Sequence, residues 1–426
     1  MLKNLGFYIC LLIMGGLIYA VRSVPEKLFS GITLVLVVAG LFSFVAFGLF
    51  FSSGRSAHLL TIRIIKYGKE VQSANKEYEE LLRHSKPLPY KDSASSSNKA
   101  TNVVVVIGES AHKRHHSLYG YPLLTNPNLE SFADSLIVFT DVVGSSMTTA
   151  GNMERILSFK EDDATCGDGL KFPLLVDLFN EMGYKTFWLS NQERTGTVSN
   201  TSGVMAMNAN VIKYVGAENS EDALCVRYDR ALLPPMCEAF NDSVANKLIF
   251  LHLLGSHVEY KARYPEEFEH FSGKDEQDKF KYSWLDDDKA KRRAEYDNSI
   301  RYTDYLLGEV ILTASRCEEP SIVIYFSDHG EEVYDYGPYS GRNENTVQVP
   351  FIVYANKAYS RANPEIMKRL AEVKDKPMST ANFMHLLISL TGGEYKLYEK
   401  RLDILSEGYI VRPRYVDEKI WIYDQE

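Results

Sequence analysis

The sequence contains few cysteines and no long run of basic residues. Its five cysteines include no C-x-x-C pair, so the usual cysteine signature of a structural zinc site is missing. Lys and Arg together number 47 against 56 Asp and Glu, and no basic cluster is present that could neutralise the phosphates of a nucleic acid. These absences argue against a zinc finger and against a nucleic-acid partner.

The cysteines leave the redox compartment open. Cys10 lies in an apolar run, whereas Cys166, Cys225, Cys237 and Cys317 lie in the polar part of the chain. Four unpatterned cysteines are consistent with two disulfides in an oxidising compartment, for which three pairings exist. Buried free thiols are the alternative.

Two long apolar runs lie at the amino-terminal end, at about 5–21 and 28–53. A membrane span needs roughly 17–25 apolar residues, so residues 1–54 are predicted to be a transmembrane region with two spans. The alternative for the first run is the apolar stretch of a signal peptide. Basic residues are more numerous after the second span than between the spans, a bias that by itself would place the rest of the chain in the cytoplasm.

Residues 55–100 are predicted to be a connector. Residues 55–83 have the pattern of an amphipathic helix, which either lies along the membrane surface or is a solvated helix. Residues 86–100 contain two prolines and three consecutive serines, which is typical of a linker. We therefore expect a single domain over 101–426.

Apolar runs and helical patterns alternate through that domain. Strands are predicted at Asn102–Ile107, Leu136–Asp141, Lys185–Ser190, Leu248–Leu254, Ser321–Ser327 and Val349–Tyr354. Helical patterns include Pro173–Met182, Tyr296–Ser315 and Thr380–Thr391. Continuous Val, Ile and Phe content indicates strands that are buried on both faces. The prediction is an α/β fold with a central, mostly parallel sheet flanked by helices.

Metal-ligating side chains follow two of these strands. Glu109 comes just after the first strand, and Asp328 and His329 come just after a later one. Ligands bind beyond the carboxyl ends of strands in such sheets, and carboxylates with imidazole suit a divalent transition metal. For Glu109 alone, a helix cap or a solvated loop is the competing interpretation.

A hydroxyl-rich turn, 144–152, lies between these two segments and leads into a helical pattern. Hydroxyls at a helix start are usually caps. A bound metal would instead activate a hydroxyl for attack on phosphorus, and the free N–H groups of the helix start would bind a phosphoryl group. Because one hydroxyl can cap while its neighbour reacts, both interpretations stand.

The order of these motifs resembles the phosphoethanolamine transferases of the alkaline phosphatase and sulfatase superfamily. The resemblance covers most of 100–426 and rests on six segments: Ile107–Ser110, Ser117–Pro122, the turn 144–152, Leu251–His257, Tyr296–Asp304 and Asp328–Glu332. Asp328–Asp335, followed by Gly341–Glu344, is most similar to the members that modify lipopolysaccharide core sugars.

The resemblance implies an alkaline-phosphatase-like domain in the periplasm, anchored in the bacterial inner membrane. It implies transfer of phosphoethanolamine from phosphatidylethanolamine to a lipopolysaccharide hydroxyl. It also implies that Zn²⁺ is bound by Glu109, Thr149, Asp328 and His329, and that Thr149 is the nucleophile. His257 would contact the phosphoryl group, bind a second zinc or donate a proton. The phosphoethanolamine would be contacted by Asn191 and Gln192.

Two features depart from the family pattern. The family usually has five spans, whereas two are evident here, so the chain is either a short variant or lacks upstream sequence. A further histidine usually follows the Asp-His-Gly-Glu segment, but none occurs between Gly330 and Pro350. One zinc site is therefore expected, and the second is in doubt.

A sulfatase is disfavoured, because no C/S-x-P-x-R motif occurs in the turn 144–152. Three other functions remain open. A phosphoglycerol transferase or a phosphodiesterase of the same superfamily would share the threonine and the metal. From another class, a catalytically silent membrane scaffold would keep only the fold.

Overall fold

The computed structural model describes residues 95–96, 102–161, 172–192, 200–216, 228–417 and 421–424. The predicted spans, the helix 55–83 and most of the linker 86–100 lie outside these residues, as do Cys10, Cys166 and Cys225. Over the described ranges, no helix is both long enough and apolar enough to cross a membrane. Cys237 is exposed and Cys317 is half-buried, and both are free thiols.

The core of the fold is a seven-stranded sheet. Its strands, in chain order, are β1 Asn102–Gly108, β2 Leu136–Phe139, β3 Lys185–Ser190, β4 Val211–Tyr214, β5 Lys247–His252, β6 Ser321–Ser327 and β7 Phe351–Ala355. The spatial order is β2-β7-β6-β1-β5-β3-β4. Only β7 runs antiparallel to its two neighbours. The predicted α/β fold with a mostly parallel sheet is confirmed.

Within the described residues, ten α-helices flank or connect these strands. They are α1 Pro127–Glu130, α2 Thr149–Ile156, α3 Leu175–Glu181, α4 Asn200–Met205, α5 Leu233–Phe240, α6 Gly273–Lys279, α7 Asp287–Arg316, α8 Lys357–Ala362, α9 Pro364–Val373 and α10 Phe383–Leu390. Short 3₁₀ segments lie at Lys113–His115, Ser117–Tyr119, Ala133–Ser135, Asp229–Leu232, Tyr260–Arg263, Glu266–Phe268, Glu344–Val347 and Thr380–Asn382. The predicted helices correspond to α3, α7 and α10.

Four two-stranded pairs complete the described structure. Ser95–Ser96 pairs with Gly393–Glu394, and Val142–Val143 with Met378–Ser379. Glu332–Val333 pairs with Ser340–Gly341, and Tyr415–Val416 with Trp421–Ile422. The first pair places two serines of the predicted linker in a strand.

The central strand β1 divides the core into two halves because its successive side chains point to opposite faces. Val103, Val105 and Ile107 pack into the larger half, which includes side chains from α3 and α10. Val104 and Val106 pack into the other half, against α5 and the second part of α7. Every residue of β1 and β6 is buried, which explains why both strands appear in the sequence as continuous apolar runs.

Candidate active site

The carboxyl ends of β1 and β6 bring three ligand-type side chains together. The two strands are parallel neighbours, and Gly108 pairs with Ser327. Glu109, Asp328 and His329 follow directly, and one ligand atom of each lies within 4.8 Å of the others. All three residues are buried. Across the described ranges, they form the one group of His, Cys, Asp and Glu that could hold a metal ion.

Asp328 has one satisfied and one unsatisfied carboxylate oxygen. Its Oδ1 accepts the backbone N–H groups of Ser110 at 3.1 Å and His329 at 2.7 Å. Its Oδ2 is buried without a hydrogen-bond partner and lies 3.5 Å from His329 Nε2. A buried carboxylate oxygen without a donor is unfavourable, and a cation would satisfy it.

The imidazole of His329 is oriented as a metal ligand. Its Nδ1 lies 2.7 Å from the carbonyl oxygen of Gly330, so Nδ1 carries the proton in this pair. The other ring nitrogen, Nε2, faces Glu109 Oε1, which is 3.5 Å away. A backbone carbonyl that fixes the other ring nitrogen is the usual support for a metal-bound histidine.

Thr149 is the first residue of α2 and lies against this group. The preceding residue, Thr148, is the N-cap, and its hydroxyl accepts the N–H of Gly151 at 3.3 Å. Thr149 Oγ1 lies 3.2 Å from Glu109 Oε2 and 3.3 Å from His329 Nε2. The two hydroxyls therefore divide the two roles considered from the sequence, with Thr148 as the cap and Thr149 facing the ligands.

Glu109 is held by donors on both carboxylate oxygens. Ser110 Oγ donates to Oε1 at 2.8 Å, and Gln192 Nε2 donates to Oε2 at 3.1 Å. Burial alone would raise the pKa of Glu109, but the nearby His329 and His257, together with these hydrogen bonds, keep it below its usual value. Glu109 is therefore ionised and available to a cation.

The same site contains a second, uncompensated carboxylate. Burial and the adjacent charge of Glu109 raise the pKa of Asp328 to about 6. Burial would lower the pKa of His329, but Asp328 and Glu109 raise it. Two carboxylates without a fixed cation repel each other, and this donor set of oxygen and imidazole nitrogen fits Zn²⁺.

Two glycines allow the backbone to approach these ligands closely. Gly255 has φ +54° in the turn after β5, and a Cβ there would lie 2.8 Å from the backbone nitrogen of Glu109. A Cβ at Gly144 would lie 2.7 Å from the carbonyl oxygen of Asp328. No side chain fits at either position without moving a ligand.

The remaining predicted residues lie in turns beyond β3 and β5. His257 lies two residues after Gly255 and is among the groups that lower the pKa of Glu109. Gln192 contacts Glu109 directly. The amide of Asn191 is turned to another partner, because Nδ2 donates to Asp229 Oδ1 at 2.8 Å. Asp229 in turn accepts the N–H of Gly255 at 2.9 Å.

Several contacts of the site were not predicted from the sequence. Ser110 has φ +57°, and its carbonyl oxygen accepts the hydroxyl of Tyr296 on α7 at 2.6 Å. The same hydroxyl accepts the N–H of His112 at 2.8 Å. The exposed Arg342 lies close enough to His329 to affect its pKa. The order Tyr296-Asp-Asn was part of the recognised pattern, but no sequence signal connected it to the backbone of Ser110.

The sulfatase family matches residues 101–393. The chain is 31% identical over 375 residues to phosphoethanolamine transferase EptC of Escherichia coli, covering 84% of this chain and 61% of that protein. It is also 31% identical over 372 residues to phosphoethanolamine transferase CptA of Salmonella typhimurium, again covering 84% of this chain and 61% of the relative. The chain thus spans less than two thirds of the length of these relatives.

A solved structure has the same fold. The C-terminal periplasmic domain of Escherichia coli EptC, in complex with Zn, aligns with a TM-score of 0.70 at 29% identity. The alignment covers 79% of this chain and 97% of that domain. The chain therefore belongs to the sulfatase family, and within that family it is similar to the phosphoethanolamine transferases EptC and CptA.

Proposed function

We propose that this chain transfers phosphoethanolamine from phosphatidylethanolamine to a sugar hydroxyl of lipopolysaccharide, in its core or in lipid A. The similarity to the phosphoethanolamine transferases EptC and CptA supports phosphoethanolamine as the transferred group. The observation that carries the proposal is the position of the Thr149 hydroxyl, within 3.3 Å of both Glu109 and His329 at the start of α2.

Glu109, Thr149, Asp328 and His329 are proposed to hold one Zn²⁺. When bound, the ion would supply the positive charge that lowers the pKa of the hydroxyl and offsets the charge of the phosphoryl group. The unpartnered Oδ2 of Asp328 supports this ligand set, as does the zinc in the related EptC domain.

The transfer has two displacements at phosphorus. The Thr149 hydroxyl loses its proton to solvent, Thr149 Oγ attacks the phosphorus of phosphatidylethanolamine, and the bond from phosphorus to the diacylglycerol oxygen breaks. His257 is proposed to give a proton to that leaving oxygen. The acceptor hydroxyl then gives its proton to His257, which the first displacement left neutral, and attacks phosphoethanolamine-threonine. The bond from phosphorus to Thr149 Oγ breaks, and Thr149 Oγ takes up a proton from solvent.

The free N–H groups of the first turn of α2 would bind the phosphoryl oxygens. Asn191 and Gln192 are proposed to contact the ethanolamine phosphate, and Gln192 would do so while it orients Glu109. The motifs Asp328–Asp335 and Gly341–Glu344 support a lipopolysaccharide acceptor.

The proposed location is the bacterial inner membrane, with the catalytic domain in the periplasm. The apolar runs at about 5–21 and 28–53 would keep the domain at the surface that holds its lipid donor. The periplasmic location of the related EptC domain supports this orientation, against the bias of the basic residues that follow the second run.

The test compares Thr149→Ala, Thr149→Ser and Thr148→Ala in the full chain, with phosphatidylethanolamine in mixed micelles. Mass spectrometry of the quenched protein is expected to detect one phosphoethanolamine group on Thr149 in the wild type and in Thr148→Ala. We expect no adduct and no transfer in Thr149→Ala, and residual transfer in Thr149→Ser.

Other results would change the assignment. Full transfer by Thr149→Ala would refute the nucleophile. A glycerophosphate adduct would indicate a phosphoglycerol transferase, and release of free phosphoethanolamine without any acceptor product would indicate a phosphodiesterase. A chain that binds no zinc and tolerates replacement of Glu109 would be a scaffold.

A further inference from the structure

The loop that leads to Thr149 has little secondary structure of its own. This nucleophile loop, residues 144–148, connects the short strand Val142–Val143 to α2. From the helix side it is held by Asn152, whose Oδ1 accepts the N–H groups of Ser145 at 2.8 Å and Ser146 at 3.1 Å. Asn152 Nδ2 donates to the carbonyl oxygen of Ser146 at 2.5 Å. The opposite side of the loop is held by a different residue.

Asp417, from the carboxyl-terminal part of the chain, supplies that support. Its Oδ1 accepts the hydroxyl of Ser146 at 2.5 Å. Both carboxylate oxygens lie near the N–H of Met147, at 3.4 Å and 3.3 Å. The N–H of Asp417 donates to the carbonyl oxygen of Ser145 at 3.1 Å. Three consecutive residues of the loop are thus bonded to one distant residue.

A short hairpin places Asp417 against the loop. Tyr415–Val416 pairs with Trp421–Ile422, and Val416 is buried together with Val143 and Val347. Arg414 stabilises the base of this hairpin, because it donates to Asp141 Oδ1 and Asp424 Oδ1, both at 2.6 Å. Asp417 itself has φ +47°, a conformation that Asp, Asn and Gly adopt more readily than other residues.

The hydrogen bonds continue from Asp417 to the start of α2. Ser146 Oγ accepts the N–H of Thr148 at 3.1 Å and lies 3.0 Å from Thr148 Oγ1. Thr148 Oγ1 accepts the N–H of Gly151 in the first turn of the helix. The series ends one residue before Thr149, so a shift of the loop would move Thr149 Oγ1 relative to Glu109 and His329.

We infer that Asp417 is a positioning residue for Thr149, acting through Ser146 and the N–H of Met147. The inference rests on the proposed function of Thr149 as the nucleophile. Asp417 lies beyond residues 101–393, which match the sulfatase family, so a segment outside the family match completes the support of the nucleophile. Its contribution is expected in kcat, because a displacement of about 1 Å can cost a reaction about 100-fold.

Asp417→Gly distinguishes the role of the Asp417 carboxylate from the role of its backbone N–H. Glycine accepts φ +47° and retains the N–H that donates to Ser145, so only the carboxylate is lost. Asp417→Asn keeps one acceptor oxygen for the Ser146 hydroxyl and serves as the conservative rescue. Glu407→Gln is the control, because Glu407 is an exposed carboxylate of the same carboxyl-terminal segment.

The experiment measures kcat and KM for diacylglycerol release from phosphatidylethanolamine in the full chain, together with zinc content and thermal unfolding. Asp417→Gly is expected to lower kcat about 100-fold while KM and bound zinc stay near wild type. Asp417→Asn should recover most of that loss, and Glu407→Gln should keep wild-type kcat. Ser146→Ala should also lower kcat and should add little to Asp417→Gly, as coupled residues do.

Unchanged kcat in Asp417→Gly, or a loss of bound zinc that accounts for the whole effect, would overturn the inference. If Asp417→Gly fails to fold, wild-type kcat in a folded Ser146→Ala would overturn it instead. Thr149→Ala is measured in parallel. An active Thr149→Ala refutes the proposed function, whereas an inactive Thr149→Ala beside a fully active Asp417→Gly refutes only the role of Asp417.

Discussion

The structure contains two buried clusters of charged side chains, and their charges are balanced differently. The metal-type cluster contains Glu109, Asp328 and His329. The second, which we call the ion-pair cluster, contains His115, Glu276, Arg293, Asp297 and Asp335. There, His115 bonds to Asp297 at 2.5 Å and to Asp335 at 3.1 Å, while Arg293 bonds to Glu276 at 2.9 Å and to Asp335 at 2.5 Å.

The ion-pair cluster provides its own cations. Burial alone would lower the pKa of His115, but Asp335 and Asp297 raise it to about 9. Burial and the nearby Asp297 raise the pKa of Glu276 to about 10. Two cationic side chains, His115 and Arg293, pair directly with the carboxylates of this cluster.

The metal-type cluster has no such balance among its own side chains. Its two carboxylates face a single imidazole, and one oxygen of Asp328 has no partner. Burying a charge is unfavourable unless it is paired. The comparison therefore indicates that one cluster is complete as a structural support, whereas the other is built to receive a cation.

The largest expected effect comes from removing a cation of the ion-pair cluster. Arg293→Met keeps most of the side-chain volume but leaves Asp335 and Asp297 less compensated. Breaking a buried pair in this way costs about 3–5 kcal/mol of unfolding free energy, and we expect that loss with and without zinc. Chemical denaturation measures it. The control is Arg292→Met at the neighbouring, more exposed position. An equal loss of unfolding free energy in Arg292→Met would contradict the structural role of the ion-pair cluster.

Zinc removal should affect the two clusters differently. A metal present at 100 times its dissociation constant stabilises the folded state by about 2.7 kcal/mol, so chelation should lower the unfolding free energy of the wild type by roughly that amount. Asp328→Asn should be less stable than the wild type with zinc but more stable after chelation, since it removes one of two facing carboxylates. Asp297→Asn should be destabilising in both states.

This reversal of order between metal-loaded and chelated protein is the critical result. If Asp328→Asn is less stable than the wild type in both states, the carboxylate has a structural role and the proposed repulsion is wrong.

The ion-pair cluster also predicts a pH dependence. The folded-state pKa of His115, about 9, is above the ordinary value of 6.5. The contribution of protonated His115 to the unfolding free energy is therefore complete below pH 6.5 and is lost as pH rises through 9. The shift corresponds to on the order of 3 kcal/mol. The unfolding free energy of the wild type minus that of His115→Asn should therefore fall between pH 6.5 and 9. A difference that stays constant over this range would show that His115 is neutral in the folded protein.

The sequence predicted the sheet well where burial is complete on both faces. Lys185–Ser190 and Ser321–Ser327 were predicted with the bounds that the structure has, because continuous apolar side chains mark a central strand. The edge strand Val211–Tyr214 was missed, since it is short and half-exposed. The helix α7 begins at Asp287, nine residues before the predicted Tyr296, because its first turns are polar and capped by Asp286.

The site was predictable only in part, for a physical reason. Glu109, Asp328 and His329 each follow a recognisable strand, and the carboxyl ends of parallel strands meet at one edge. The contacts of Tyr296 with Ser110 and of Asp417 with Ser146 depend on three-dimensional packing between segments that are 186 and 271 residues apart. No local pattern encodes such a pairing.

The smallest expected effect concerns the link between Gln192 and Glu109. Gln192 Nε2 donates to Glu109 Oε2 at 3.1 Å and to the carbonyl oxygen of Leu253 at 2.9 Å. It therefore fixes the carboxylate relative to the turn after β5. Losing an outer partner of a metal ligand typically weakens metal affinity about 10- to 100-fold, so Gln192→Leu should raise the zinc dissociation constant by that factor.

Competition titration with a chelating dye measures this change, and Gln277→Leu, far along the chain on α6, is the control. If Gln192→Leu leaves zinc affinity unchanged but raises KM for phosphatidylethanolamine, Gln192 binds the donor rather than supporting the ligand. That result would also sharpen the comparison of the two clusters. It would mean that Ser110, through its bond to Glu109 at 2.8 Å, is sufficient to orient the carboxylate for the cation.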